Sequence, residues 1–238
     1  MSNLLPKKTA QFTGYILLLL GVLFVLIMLQ IALPYLLPPF PTDIDFLANK
    51  EDYLTQDAFY MSAFYTHISS SCLVLALGLP LFSPYFLRKF PQWHRRFGRY
   101  YSYLLLFLAA PSGLIMAFSG SGGLWAQIAF VCQALLWWAL TAQAFRLALA
   151  KKFRAHAAFM IRSYAFSLSA ISLRLFSYLI SYLRYEYDIP CPSEEFPYLC
   201  YPQIYVFEAW ASWIFNALVA EILIAQGLIR LYLGPKFN

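Results

Sequence analysis

Two stretches of the chain repeat one chemistry-bearing pattern. The first reads Lys89-Phe90-Pro91-Gln92-Trp93-His94-Arg95-Arg96-Phe97-Gly98-Arg99-Tyr100-Tyr101. The second reads Lys152-Phe153-Arg154-Ala155-His156-Ala157-Ala158-Phe159-Met160-Ile161-Arg162-Ser163-Tyr164. Both run Lys-Phe, then His, then Phe three residues on, then Arg, then Tyr two residues after that Arg, with small shifts of spacing. Imidazole is a common metal ligand, but the local charge disfavours a bare cation. His94 is flanked by Arg95, Arg96 and Arg99, His156 stands near Arg154 and Arg162, and neither stretch holds Asp or Glu. A positive field repels a divalent ion and suits an anion such as a lipid phosphate, a carboxylate or the propionates of a haem. Guanidinium groups offer a planar fork of donors for such groups. His94, Arg95, Arg99, His156, Arg162 and Tyr164 are therefore the candidate ligand-binding residues, and no metal-ion site is assigned. The plainer role for the same residues is anchorage to lipid headgroups.

A second set of polar residues falls inside apolar runs, where ionisable groups are costly and face a bundle interior. These are His67, Arg174, Asn216 and Glu221. Helical rise puts Arg174 level with Asn216 and about one turn from Glu221, so an Arg174–Glu221 pair is expected. It serves either as a lock between helices or, with His67, as part of a proton or ligand pathway. Haem would need two axial imidazoles at one depth. His67 has no histidine partner in its leaflet, so only His94 and His156 qualify.

The elements that must hold these residues are membrane helices. Of 238 residues 61% are hydrophobic and 12% charged, against roughly 25% charged in a soluble domain. The mean hydropathy is +0.62. Apolar blocks of 18 or more residues are long enough to cross the hydrocarbon core as helix. Six spans are expected, at about 14–33, 60–82, 100–118, 124–149, 158–183 and 206–232, forming one all-α membrane domain over 1–238. The Ser119-Gly120-Ser121-Gly122-Gly123 turn makes the third and fourth an antiparallel hairpin. The run after Lys7 and Lys8 is too long for a signal peptide's core and lacks a small-residue cleavage site, so it is expected to remain as a helix. The matching histidine motifs suggest that spans two–three and four–five are duplicated hairpins, with His94 and His156 at equal depth.

Charge sets the orientation. With six spans, Lys7, Lys8, Arg88, Lys89, Arg95, Arg96, Arg99, Lys151, Lys152, Arg154 and Lys236 share one side. Asp43, Asp45, Glu51, Asp52, Asp57, Glu186, Asp188, Glu194 and Glu195 share the other, with Lys50 and Arg184 as basic company. The basic side is expected to be cytoplasmic, which puts both termini inside and the protein in a bacterial inner membrane. Cys191 and Cys200, close together in one outer loop, are an expected disulfide. Cys72 and Cys132 lie within spans as packing residues. The net charge of +6 does not indicate nucleic acid, because no basic run stands clear of the membrane edge.

Several of these pieces, in order, resemble the bacterial family of predicted membrane proteins called domain of unknown function 2306. They are Thr66-His67-Ile68, His94-Arg95-Arg96-Phe97-Gly98-Arg99, Gly113 through the Gly-rich turn, His156, Phe159-Met160-Ile161-Arg162-Ser163-Tyr164-Ala165, and Trp213, Asn216, Ala220 and Glu221. The resemblance covers about residues 60–225 and implies a multi-helix membrane fold without naming a chemistry. Members often read His-Arg-x-Trp in the second loop, whereas this chain has His156-Ala157-Ala158-Phe159, which weakens an anion clamp there. The loop with Cys191 and Cys200 is outside the pattern.

Three functions follow. The leading one is an accessory or assembly subunit packed against other membrane protein subunits. It rests on small size, many aromatics and the lack of a nucleophile–base pair, phosphate loop or paired carboxylates, which also argues against an enzyme. The second is a redox or small-ligand protein binding haem b, quinone or anionic lipid at the His/Arg cluster. The third is a small transporter or channel using His67, Arg174 and Glu221.

Overall fold

In hydrocarbon the backbone must satisfy its own polar groups, and a long apolar block does so as helix. The structure, a computed structural model, describes residues 7–188 and 203–232. Among these residues every regular element is a helix. Helix α1 (Lys7–Leu36) leads to two short helices, α2 (Asp45–Ala48) and α3 (Asp52–Gln56), and then to α4 (Ala58–Leu81). Helix α5 (Pro84–Lys89) connects to α6 (Pro91–Leu104), which runs through a π-helical turn at Leu105–Ala109 into α7 (Ala110–Ala117). Then come α8 (Gly123–Leu149), α9 (Phe153–Ser167), α10 (Ser169–Glu186) and α11 (Gln203–Ala225), followed by a 3₁₀ turn at Leu228–Leu231. Five helices are long and apolar enough to cross a membrane, and the pair α9 and α10, bent by 45° at their junction, brings the number to as many as six when counted as one span. The chain is thus a multi-pass, all-α membrane protein. Cys191 and Cys200 lie outside the described residues, while Cys72 and Cys132 are free thiols.

Local chemistry sets the helix ends. Asp57 starts α4 by accepting from the N–H groups of Phe59 at 3.0 Å and Tyr60 at 3.3 Å. Gly122 precedes α8 at φ 92°, a conformation that suits glycine, and a Cβ there would lie 2.7 Å from Tyr205. The π turn follows from Pro111. Ala110 N–H donates five residues back to Leu105, and the next residue, Pro111, has no N–H to offer Leu106. The indole of Trp138 fills that role, its Nε1–H donating to the Leu106 carbonyl at 3.1 Å.

The crossings pack in sequence order: α1 on α4, α4 on α6 and α7, α7 on α8, and α8 on α9, with α11 closing against α8, α9 and α10. Buried Ala126 and Ala129 of α8 face Ala209 of α11, so small residues let these helices approach closely. The central core gathers Val74, Tyr101, Leu105, Trp137, Ala144, Phe166 and Trp213. Contacts define two rims. On the basic rim the Tyr232 hydroxyl donates to the Phe82 carbonyl at 3.1 Å, and Ile161, Ala220, Leu228 and Ile229 cluster together. On the acidic rim Tyr35, Leu47, Leu54, Tyr60 and Phe64 form a separate cluster.

Lys50 staples the acidic rim. It is only 9% exposed, and its ammonium donates to the Ser119 carbonyl at 2.7 Å and to Ser121 Oγ at 3.0 Å, 4.7 Å from the centre of the Phe46 ring. Burial pulls its pKa from 10.5 down to about 8. Below pH 8 folded and unfolded chains both hold the proton. Between about 8 and 10.5 only the unfolded chain holds it, so stability rises with pH across that window and levels off above it. Thermal melts in detergent should show this rise, and Lys50→Met should remove it. A rise of equal size in that variant would rule Lys50 out as its source.

Candidate functional site

His94 and His156 occupy equivalent positions. Each is the fourth residue of its helix, in α6 and α9. Each donates its backbone N–H to the residue just before the helix, His94 to Phe90 at 3.0 Å and His156 to Lys152 at 2.9 Å. Those two preceding residues share an uncommon backbone, with ψ of 59° at Phe90 and 65° at Lys152. The repeated motif thus builds the same helix start twice. Both imidazoles belong to helix starts on the basic rim.

Hydrogen bonding fixes one ring. His156 Nδ1 lies 2.9 Å from the Ala144 carbonyl of α8. A carbonyl only accepts, so Nδ1 carries the proton and the neutral ring presents a lone pair at Nε2. This is how metal-bound histidines are held, with a backbone carbonyl orienting the ring from behind. His94 Nδ1 is buried without a hydrogen-bond partner. Among the described residues no group of three or more His, Cys, Asp or Glu could hold a metal ion. Arg95 and Arg99 are exposed on the same helix, and Arg96 stacks over Trp93 at 5.3 Å.

Beneath the pair lies a hydroxyl cluster that sequence reasoning missed. Tyr101 and Ser163 follow His94 and His156 by seven residues each, two turns deeper on the same faces. The Tyr101 hydroxyl lies 3.3 Å from Ser163 Oγ and 3.4 Å from Ser167 Oγ, and Ser163 Oγ lies 2.7 Å from Thr141 Oγ1. Tyr101, Thr141 and Ser163 are fully buried. The seven-residue offset in both motifs was the available signal. Tyr164, an expected ligand residue, is turned toward α4. Its hydroxyl donates to the Leu75 carbonyl at 3.2 Å and its ring stacks on Phe82 at 4.6 Å.

The intramembrane charges pair differently from expectation. Glu221 is held by Arg162, not by Arg174: Arg162 Nε and Nη2 grip both carboxylate oxygens, the second at 2.9 Å. Arg174 Nη2 instead bonds Asp45 of α2 at 3.1 Å. The expectation treated the fifth span as one straight helix. The 45° bend at Leu168 swings α10 aside and leaves Arg162, nine residues into α9, level with Glu221. Asn216 Oδ1 accepts from Ser172 Oγ at 2.9 Å, and its Nδ2 is buried without a partner. His67 lies alone in its own region. Its Nδ1–H donates to the Ala109 carbonyl of the π turn at 2.9 Å, and its ring fills the space over Gly113, where a Cβ would come within 2.7 Å. A further residue escaped notice: Glu208 of α11 is 4% exposed and accepts from Ser177 Oγ, with no basic partner among the described residues. Glu208, Ser212 and Asn216, four apart, form a polar stripe that could have been read from spacing.

No curated protein and no solved structure matches the chain. The family model for predicted membrane proteins DUF2306 matches residues 64–224, a segment that holds all three histidines, the π turn, the bent crossing and the Arg162–Glu221 pair. With most of its length matched, and with several helices long and apolar enough to cross a membrane, the chain belongs to the DUF2306 family of predicted membrane proteins.

Proposed function

We propose that this protein is a small redox or ligand-binding protein of a bacterial inner membrane that holds haem b between His94 and His156 at the cytoplasmic rim. The observation that carries this reading is the His156–Ala144 hydrogen bond, which leaves an Nε2 lone pair at a helix start that matches the one bearing His94, whose Nδ1 is buried without a partner. A lone pair wants a Lewis acid, and two imidazoles without a carboxylate match a bis-histidine porphyrin iron better than a bare divalent ion. Arg95 and Arg99, exposed one turn apart on the same rim, suit the propionates. Quinone is favoured less, since its carbonyl oxygens need donors and the oriented His156 offers an acceptor. Haem supplies one-electron chemistry when bound. In this reading His94 and His156 would hold the iron and Arg95 and Arg99 would neutralise the propionates. The test is an optical spectrum of protein purified from haem-replete cells, which should show a Soret band at one haem per chain. Protein that is colourless and takes up no added hemin would overturn the reading.

A second reading, the accessory subunit, is favoured by one specific feature. The Arg162–Glu221 pair lies within crossing helices, yet its side chains are 27% and 53% exposed at the bundle's perimeter. An ion pair facing lipid is costly, and covering by another subunit's polar helix relieves that cost. Purification in mild detergent should then yield a stoichiometric membrane partner that is lost on Arg162→Leu/Glu221→Leu double substitution. Retention of the partner by the double variant would remove this support.

A further inference from the structure

The surface around the Arg162–Glu221 pair carries information about what covers it. Arg162 of α9 grips both carboxylate oxygens of Glu221 of α11, so the two charges sit at one depth. Two of the five guanidinium N–H groups are used in that grip, and donors remain for a second carboxylate. The guanidinium carbon stands 5.3 Å from the centre of the Phe159 ring on the same helix.

Glu221 is also one position in a stripe. Ile214, Leu218, Glu221 and Ala225 of α11 are spaced four, three and four residues apart, and all four are exposed. This is the spacing of a helix face that packs lengthwise against another helix. The rest of α11 is already engaged, with Trp213, Asn216 and Ala220 buried in the bundle. Acyl chains can cover Ile214, Leu218 and Ala225. They offer nothing to a guanidinium and a carboxylate, and neither does a purely apolar helix.

The occupant must therefore present an acceptor and a donor together at the depth of the pair. A second copy of this chain meets that requirement by symmetry. Copies of one sequence insert with one orientation, because the same charges set it. A twofold axis along the membrane normal then places Arg162 of one copy level with Glu221 of the other. The contact is isologous, each copy giving one carboxylate and one guanidinium and receiving the same. Two separate pairs facing lipid become one ring of four alternating charges between protein surfaces.

We infer that the α9–α11 face is a homodimer interface, with the two Arg162–Glu221 pairs meeting at the twofold axis and Leu218 and Ala225 packing beside them. The inference rests on the reading that another subunit covers this ion pair, and it names that subunit. It is independent of the histidines.

The test uses the full-length chain, co-expressed with two different affinity tags and extracted in mild detergent. Wild-type chains should co-purify across the tags. Arg162→Glu leaves only acids at the site and Glu221→Arg leaves only bases, so each variant alone should lose self-association to the background level. Co-expressed with each other, the two variants set acids against bases across the axis and should recover co-purification. A second measurement leaves the charges intact. In native membranes a short bismaleimide should convert Leu218→Cys protein to a band of twice the chain mass. Phe107→Cys, equally open on the π turn, should give no more of that band than wild type. Size-exclusion profiles check that the charge variants are folded, and if either is not, the Leu218→Cys band decides.

Wild-type chains that neither co-purify across tags nor cross-link through Leu218→Cys overturn the inference. Folded charge variants that fail to pair with each other also overturn it. If a different membrane protein then co-purifies with wild type and is lost on the double leucine substitution, the accessory-subunit reading survives alone. If nothing co-purifies, both fall.

Discussion

Replacing Gly78 by alanine should sharply reduce the yield of folded protein. A Cβ at this position would lie 2.0 Å from Cε2, 2.6 Å from Cζ and 2.7 Å from Cδ2 of the Tyr164 ring. The ring has little room to yield. It is stacked on Phe82 at 4.6 Å, and its hydroxyl is bound to the Leu75 carbonyl at 3.2 Å. Something must move, either the tyrosine, with loss of its bond, or α4, with loss of contact to α9. Overpacking alone costs about 1–3 kcal/mol. Losing the buried hydroxyl's partner adds roughly 1–3 kcal/mol. A membrane domain with ordinary marginal stability does not tolerate the sum well. Thermal shift on fluorescence-detected size exclusion measures this. Tyr164→Leu in the Gly78→Ala background removes the colliding ring and should recover part of the loss. A Gly78→Ala protein as stable as wild type would show that α4 and α9 are not packed as described.

The second large effect concerns the histidines. His156→Ala removes the oriented lone pair, and His94→Ala removes the second imidazole of the proposed pair. On the proposed reading each substitution removes one of the two imidazoles, so hemin uptake should weaken and any haem still bound should lose the bis-imidazole spectrum. Arg95→Gln and Arg99→Gln leave both ligands and should weaken hemin uptake without changing the spectrum of what is bound. That split separates ligation from anion binding. Tyr164→Phe, which loses only the bond to Leu75, should leave hemin uptake unchanged. Arginine substitutions that shift the band, or a histidine substitution without effect on it, would contradict the assignment of roles.

How much of this was legible beforehand depends on the physical range of each signal. Hydropathy acts over whole crossings, so the apolar blocks announced the bundle, and the segregation of Asp and Glu from Lys and Arg announced two rims. The repeated motif acts over one helix start, and His94 and His156 do take equivalent places. The bend at Leu168 was invisible because Ser167-Leu168-Ser169 contains neither proline nor glycine and interrupts no apolar run. Missing it misplaced Arg174 along the fifth crossing, hence the wrong partner for Glu221. Lys50 was counted only as a minority charge on the acidic side. Its burial depends on Phe46 and the Ser119–Ser121 turn, which lie about 70 residues apart. Glu208 was passed over because it falls near a predicted span's edge, where a carboxylate looks solvated. In the bundle Ser177 and α10 cover it.

The most direct measurement on the central claim is low-temperature electron paramagnetic resonance of the ferric, hemin-loaded protein at one equivalent. Two neutral imidazoles on one iron give a low-spin signal. The account predicts that signal for wild type, its conversion or loss in His94→Ala and in His156→Ala separately, and its persistence in His67→Ala, whose ring is engaged with Ala109 in another part of the bundle. A high-spin signal in wild type, or a low-spin signal that survives either rim substitution but vanishes with His67, would contradict it.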